Sequence, residues 1–453
     1  MREPLISPSP PRVPGPPLLG AAVPFLRNPT GFLTAMRARH GDAFLLELLG
    51  FRLFFVFSPA GLRSLYELPE EIASFTEATR ALIGLKLPSE MLEGDLELFR
   101  HLFTAERMEG FLAQMNAAAQ ETVDALGPSG ELEVFAHMKR LVHQIGFRCW
   151  VGREAASPRY FDRLVALFER LDPEEAFIHP GRMLRTIVTR KAPERRALRA
   201  AQEILAEIWS ERQRRGVREH DMLEQLHDAY GNEPESTRHA HAAKDVMILH
   251  LASQTNLYAA MGWTFINLLR HPEHRAAVEA ESAGVEGALA TTRGLAQLVR
   301  LDQCLYESIR LAQRSLTLRK VLRPCQVETG PVRYTIQPGA YVATLLSVTN
   351  SAYPTLDGFD PAHFERGHVA ERVALPGKEV VSTFGHGRHA CVGERFAAAA
   401  IKIAVARHLA ALELTPRFGA PAPPPGQMGA VARAAGPCVV AYRRRANGAP
   451  RGA

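Results

Sequence analysis

Between about Leu96 and Leu311 the apolar residues recur three and four positions apart, the period of helices with one buried stripe. The flanks read differently. "NPTGFLTAMRARHGD", from Asn28 to Asp42, predicts a short helix, and "AFLLELLGFRLFFVFSP", from Ala43 to Pro59, predicts two strands around Gly50 that close at Ser58-Pro59. Glu47 and Arg52 argue against reading that run as a membrane span. "HAAKDVMILHLASQTNLYAAMGWTFINLLRHPE" predicts one unusually long helix from His241 to Glu273, stopped by His271-Pro272, and a helix of that length crosses a large core. A further helix is expected over Leu301 to Arg314, then short strands in "RYTIQPGAYVATLL" broken by Pro338-Gly339, then turns from Asn350 to Lys378. "ERFAAAAIKIAVARHLAAL" is an alanine-rich helix. The pattern is that of a mainly α protein with a minor β-sheet region in a single large domain, without internal repeats.

Composition narrows this only a little. In 453 residues, 46% are apolar and 23% charged, enough for a sizeable core. The net charge of +6 is spread along the chain with no aromatic-interleaved basic stripe, so no nucleic-acid partner is expected. Residues 1–27 are proline-rich and read as a stiff, extended entry with no signal peptide or integral membrane anchor. Residues 28–442 form the expected domain, and 443–453 a flexible tail. The expected location is cytoplasmic. Five cysteines, odd in number, widely spaced and without a CxxC, exclude zinc ribbons, thioredoxin motifs and covalent c-type haem attachment, and fit a reducing compartment.

Chemistry concentrates in "FGHGRHACVG", Phe384 to Gly393. Cys391 immediately precedes the alanine-rich helix, whose N-terminal dipole favours a thiolate. Gly385, Gly387 and Gly393 let the backbone turn and approach a flat ligand. Phe384 is placed to shield the sulfur, and Arg388 and His389 suit an acidic ligand edge. Together they describe a haem with an axial cysteine, whose thiolate pushes electron density onto the iron and favours O–O cleavage.

The segment resembles the haem-binding signature of the cytochrome P-450 family: Phe384, Gly387, His389, Cys391 and Gly393 fill its fixed places, and the resemblance extends over most of the chain. It implies the family's fold, haem b, and Cys391 as axial iron ligand. It also implies a buried Glu307–Arg310 pair in "YESIRL", with a third basic partner in "FDPAHFERG". His363 stands where the family usually has arginine, and Arg366 is nearby. Arg319 in "LTLRKV" and Arg100 in "ELFRHLF" fall where the family reaches the haem propionates, although Leu96 replaces the aromatic or histidine that usually accompanies the latter.

The long helix departs from the family. Where an acid and an alcohol usually relay protons to bound oxygen, this chain has "LASQTNLYAAMGW". Counted back from Trp263, Thr255 takes the acid place and Asn256 the alcohol place; shifted by one, Gln254 and Thr255 do. Neither register has a carboxylate. This helix resembles the branch of sterol 7α-hydroxylases and prostacyclin synthase, which carries asparagine there and contains both oxygenases and an isomerase.

A substrate-covering loop is expected over Phe75 to Leu92, with Leu82, Ile83, Leu85 and Leu87 as an apolar lid; Met247, Ile248 and Leu251 on the long helix and Leu316 and Thr317 add wall. The resemblance implies a monomeric monooxygenase that hydroxylates or epoxidises a lipophilic molecule (terpenoid, steroid, fatty acid or polyketide-like) with O2 and electrons from a ferredoxin and ferredoxin reductase. Arg388, Arg395, Lys402, Arg107 and Arg100 offer a basic face for an acidic partner. Two other readings stay open: an isomerase, dehydratase or peroxygenase that takes a preformed peroxide, and a haem sensor or carrier without turnover.

Overall fold

The computed structural model describes residues 8–14, 21–92, 103–172, 185–367 and 375–445. Among these, the α-helices longer than one turn are α1 (Ala22–Arg27), α2 (Pro29–His40), α3 (Pro59–Glu67), α4 (Phe75–Ile83), α5 (Ala105–Asp124), α6 (Val134–Val151), α7 (Phe161–Leu171), α8 (Ala192–Arg215), α9 (Met222–Ala229), α10 (Glu235–Arg270), α11 (Pro272–Gly284), α12 (Val299–Ala312) and α13 (Glu394–Ala411). The strands are β1 (Ala43–Leu48), β2 (Phe51–Val56), β3 (Ala73–Ser74), β4 (Ser129–Glu133), β5 (Leu316–Val321), β6 (Cys325–Glu328), β7 (Arg333–Ile336), β8 (Tyr341–Leu345), β9 (Leu412–Pro416) and β10 (Val439–Arg444). The mainly α class with minor sheets is as the pattern predicts. Packing divides the chain into two compact units: residues 1–83, 309–391 and 423–432, and residues 84–308, 392–422 and 433–453.

The first unit is organised by a five-stranded sheet in the order β1-β2-β8-β5-β3. The hairpin expected around Gly50 forms, with Leu49 and Gly50 both at positive φ (49° and 85°) and Leu48 opposite Phe51. Its apolar side buries Phe44, Phe55 and Phe57 with Phe25 of α1, and Phe55 and Phe57 stack at 5.9 Å. Asn28 caps α2 and Ser58 caps α3, each side chain accepting the N–H three residues on, and each helix opens on proline. β2 runs parallel to β8, and β8 antiparallel to β5, which sets Arg319 opposite Val342. β3 pairs with β5 through Ser74 and Lys320, so α4 begins one residue beyond the sheet.

The second unit is helical, with a small sheet in the order β4-β10-β9. Its axis is α10, 36 residues long. The helix starts at Glu235, six residues before the expected His241, because Pro234 serves as N-cap and nothing up to His241 breaks the period. It ends at Arg270, and Pro272 opens α11. Two glycines let neighbours close on it: a Cβ at Gly146 of α6 would stand 2.6 Å from the His250 ring, and one at Gly262 would stand 2.8 Å from the Phe135 ring. No described helix is long and apolar enough to cross a membrane.

Candidate active site

Cys391 is the exposed cysteine; Cys149, Cys304, Cys325 and Cys438 are buried and unpaired. Burial pushes those thiols up, Cys304 to about 12 and Cys325 and Cys438 to about 11, so they stay protonated at neutral pH. The cysteine loop is held by its own backbone: Cys391 N–H donates to Phe384 C=O at 2.7 Å. Gly385 and Gly387 make this closure possible at φ 80° and 64°, where a side chain is strained. A Cβ at Gly385 would also press to 3.2 Å from the His389 carbonyl. Residues outside the motif pin the loop from behind. Buried Asn350 accepts from Ser382 N–H (2.8 Å) and donates to Ser382 C=O (2.9 Å); Gln313 donates to Thr383 C=O at 3.0 Å. Gly393, at an ordinary φ of −88°, is the N-cap of α13.

Two of the expected haem-edge residues meet in the first unit. Arg319 is 1% exposed, and its Nη1 lies 3.5 Å from Glu70 Oε2. His389 Nε2 lies 3.1 Å from the same oxygen. Arg319 also donates from Nη2 to Tyr66 C=O at 3.3 Å, but its buried Nε–H has no acceptor among the described residues. A buried guanidinium with a donor to spare fits a carboxylate at the edge of a bound porphyrin. Glu70 itself was not legible in the sequence. Burial pushes its carboxyl up, but hydrogen bonds from Ser74, Thr76 and Phe75 together outweigh this and hold it at about 2. Arg100 lies outside the described residues.

Glu307 and Arg310 are both fully buried, one turn apart on α12. Arg310 donates to the carbonyls of Asn350 (2.7 Å) and Gly358 (2.9 Å), tying α12 to the turns ahead of the cysteine loop. His363 is buried, its Nε2 2.9 Å from Thr355 C=O. The Arg366 side chain is outside the described residues.

On α10 the three candidates point to different places. Thr255 is buried and donates from Oγ1 to Oδ2 of Asp172, which is buried at the end of α7, at 2.8 Å. Gln254 is buried, and its Oε1 accepts no hydrogen bond among the described residues. Asn256 is half-buried and shares an open stripe with Ile248 and exposed Ala252, each four residues apart. A carboxylate that neither register of α10 supplies thus stands against Thr255 from Asp172, the C-cap of α7.

Of the other lid and wall candidates, Met247, Leu251 and Leu87 are buried, Leu82, Ile83, Leu316 and Thr317 half-buried, and Leu85 exposed. Around Leu87 the second unit has a polar anchor that the sequence did not announce. Lys86 Nζ donates to Glu194 Oε1 at 2.7 Å, Thr186 donates to the same oxygen at 3.1 Å, and Lys191 Nζ donates to the carbonyls of Leu87 and Gly84. Arg388, Arg395 and Arg107 are exposed, while Lys402 is engaged with Asp302 at 2.8 Å.

The chain is similar in sequence to known proteins over most of their length. The chain is 28% identical to the obtusifoliol 14-alpha demethylase of Triticum aestivum over 415 residues, 88% of this chain and 90% of the relative. It is 26% identical to the sterol 14alpha-demethylase of Mycolicibacterium vanbaalenii over 75% of each chain. It is 24% identical to the lanosterol 14-alpha demethylase of Rattus norvegicus over 87% of this chain and 80% of the relative. The family model for cytochrome P-450 matches residues 10–440. The sulfur presented by the Phe384–Cys391 turn is accordingly that of a haem b enzyme, and the chain belongs to the cytochrome P-450 family of haem-thiolate monooxygenases.

Proposed function

We propose that this monooxygenase acts on a sterol or sterol-like polycyclic terpenoid, within the broader class of lipophilic substrates. What carries the reading is the Cys391 turn, with its backbone closed at 2.7 Å on Phe384 and Cys391 itself exposed, in a chain with relatives named for sterol 14-demethylation. Bound haem supplies the activation of O2 and the insertion of one oxygen atom into the substrate. Cys391 would hold its iron through the sulfur, Phe384 would keep water from that sulfur, and Arg319 and His389 would bind its propionates. Glu307, Arg310 and His363 hold the core behind the loop.

Proton delivery falls to Thr255 and Asp172. Thr255 donates a hydrogen bond to Asp172 Oδ2; as the hydroxyl passes its own proton toward the reaction, protonated Asp172 returns one to it and ends as the carboxylate, the part an acid on the long helix plays elsewhere in the family. Asn256 would offer its amide N–H from the open stripe as a hydrogen-bond donor beside the reaction, and Gln254 steadies the helix behind it. This acid favours O2 activation over peroxide rearrangement. Electrons come from a ferredoxin and its reductase, drawn to Arg388 or Arg395, and the enzyme works as a cytoplasmic monomer.

The test is a titration of the purified holoprotein with 14-methyl sterols and with fatty acids, read by the haem absorption shift. Turnover is then followed with O2, NAD(P)H, ferredoxin and reductase, and separately with peroxide alone. A shift with the sterols and an oxygenated product only in the full system is expected. No response to any sterol, or product from peroxide alone, overturns the proposal.

A further inference from the structure

Glu70 belongs to no motif, yet its carboxylate works in two directions. Oε2 lies 3.5 Å from Arg319 Nη1 and 3.1 Å from His389 Nε2. Oε1 accepts from Ser74 Oγ (2.6 Å) and Thr76 N–H (2.9 Å), and Oε2 from Phe75 N–H (3.0 Å). These bonds satisfy the free N–H groups that begin α4. The Phe75 ring also lies against the His389 imidazole, centroids 4.9 Å apart. A guanidinium as buried as Arg319 needs a counter-charge, and Glu70 provides it from the same atoms that cap the helix.

We propose that Glu70 is a positioning residue whose single carboxylate is shared between the haem-edge residues and the first turn of α4, setting both the charge felt by the haem and the firmness of the segment that opens the substrate side. The inference rests on the reading of Arg319 and His389 as propionate ligands. Without the negative charge, the Arg319 guanidinium has one counter-charge fewer beside the haem, which favours the ferrous over the ferric state. Without the acceptors, α4 loses its cap and opens more often.

The experiment compares holoprotein of the wild type with Glu70→Gln, Glu70→Asp and Ser74→Ala. The readouts are the ferric–ferrous midpoint potential and the rate of trypsin cleavage after Arg80, whose side chain in α4 is 37% exposed. Glu70→Gln is expected to shift the potential positive and to speed cleavage about fivefold. Ser74→Ala, which takes one hydroxyl from the cap, is expected to speed cleavage and leave the potential where it was. Glu70→Asp keeps the charge and withdraws the acceptors, so cleavage rises at the wild-type potential. Should the amide variant take up no haem, the aspartate variant decides: unchanged cleavage, or a shifted potential, overturns the proposal. A Glu70→Gln protein that moves only one readout overturns it too, leaving Glu70 as a cap alone or a charge alone. Full haem retention by Arg319→Gln sinks the propionate reading instead, whatever the Glu70 variants do.

Discussion

The cysteine loop and the middle of α10 carry two halves of the proposed chemistry, and they are built by opposite rules. The loop is a backbone object. Two glycines at positive φ and one N–H···O=C bond of 2.7 Å fix where Cys391 stands, within a run of ten residues. The α10 site is a side-chain object. Thr255 is defined by Asp172, 83 positions earlier at the end of another helix. A local backbone solution demands particular residues at particular spacings. A distributed one can pass its acid from one helix to another, so long as a carboxylate and a hydroxyl still meet.

The largest effect breaks the first half. Cys391→Ala removes the axial sulfur, and the reduced protein under carbon monoxide is expected to lose the far-shifted Soret band along with all turnover. The loop itself should survive, because its closing bond is made by the backbone of residue 391 and not by its side chain. Thermal unfolding of the haem-free protein checks this, with an expected change within about 1 kcal/mol. A retained band or retained turnover ends the haem-thiolate assignment of this residue.

The next effect tests the second half. Asp172→Asn keeps the shape and removes the acid, and product formation should fall about 100-fold. Electron consumption should fall far less, so the loss appears as uncoupling to peroxide or water. Thr255→Val should do the same, and the double variant should be little worse than either, as expected of residues acting as a unit. Fully additive losses, or a wild-type rate in Asp172→Asn, mean that the 2.8 Å hydrogen bond is structural and that protons reach the haem by another route.

These two regions also explain what was legible in the sequence. The loop, the hairpin at Gly50 and the long helix are written in contiguous residues with strong conformational preferences. The start of α10 was misjudged by six residues because Pro234 marks the beginning of a helix as readily as the end of one. Asp172, Glu70, Asn350 and the Lys86–Glu194 pair were invisible for a shared reason: each is a common polar residue given its role by a partner far away or by burial that composition does not reveal. Neither register of the α10 candidates holds a carboxylate, which is plain from the sequence; that Asp172 lies against Thr255 requires the tertiary fold.

The smallest effect sharpens the comparison by asking which region yields first in acid. The helical unit encloses two histidine pairs, His143–His250 at 3.0 Å and His137–His408 at 2.8 Å. Burial, helped by the charges of Lys139 and Arg140, holds His143 at about 3; burial and His408 hold His137 at about 3; burial holds His408 at about 4 and, with His143, His250 well below its ordinary value. In the unfolded chain these rings titrate near 6.5, so below that pH the unfolded state binds more protons. Stability is then lost as pH falls from about 6.5 toward the folded values. At about pH 5.5 each ring that stays neutral costs about 1.4 kcal/mol. Glu70, held at about 2, keeps its charge throughout that window. Amide exchange at about pH 7.5 and 5.5 should therefore show α6 and α10 losing protection while the segment around Glu70 keeps it. His143→Phe, which removes one ring from the balance, should flatten the pH dependence of stability by about one histidine's share. If α6 and α10 stay as protected as the cysteine loop on acidification, the pairs carry their protons at a cost the fold can absorb, and the long helix is as rigidly determined as the loop.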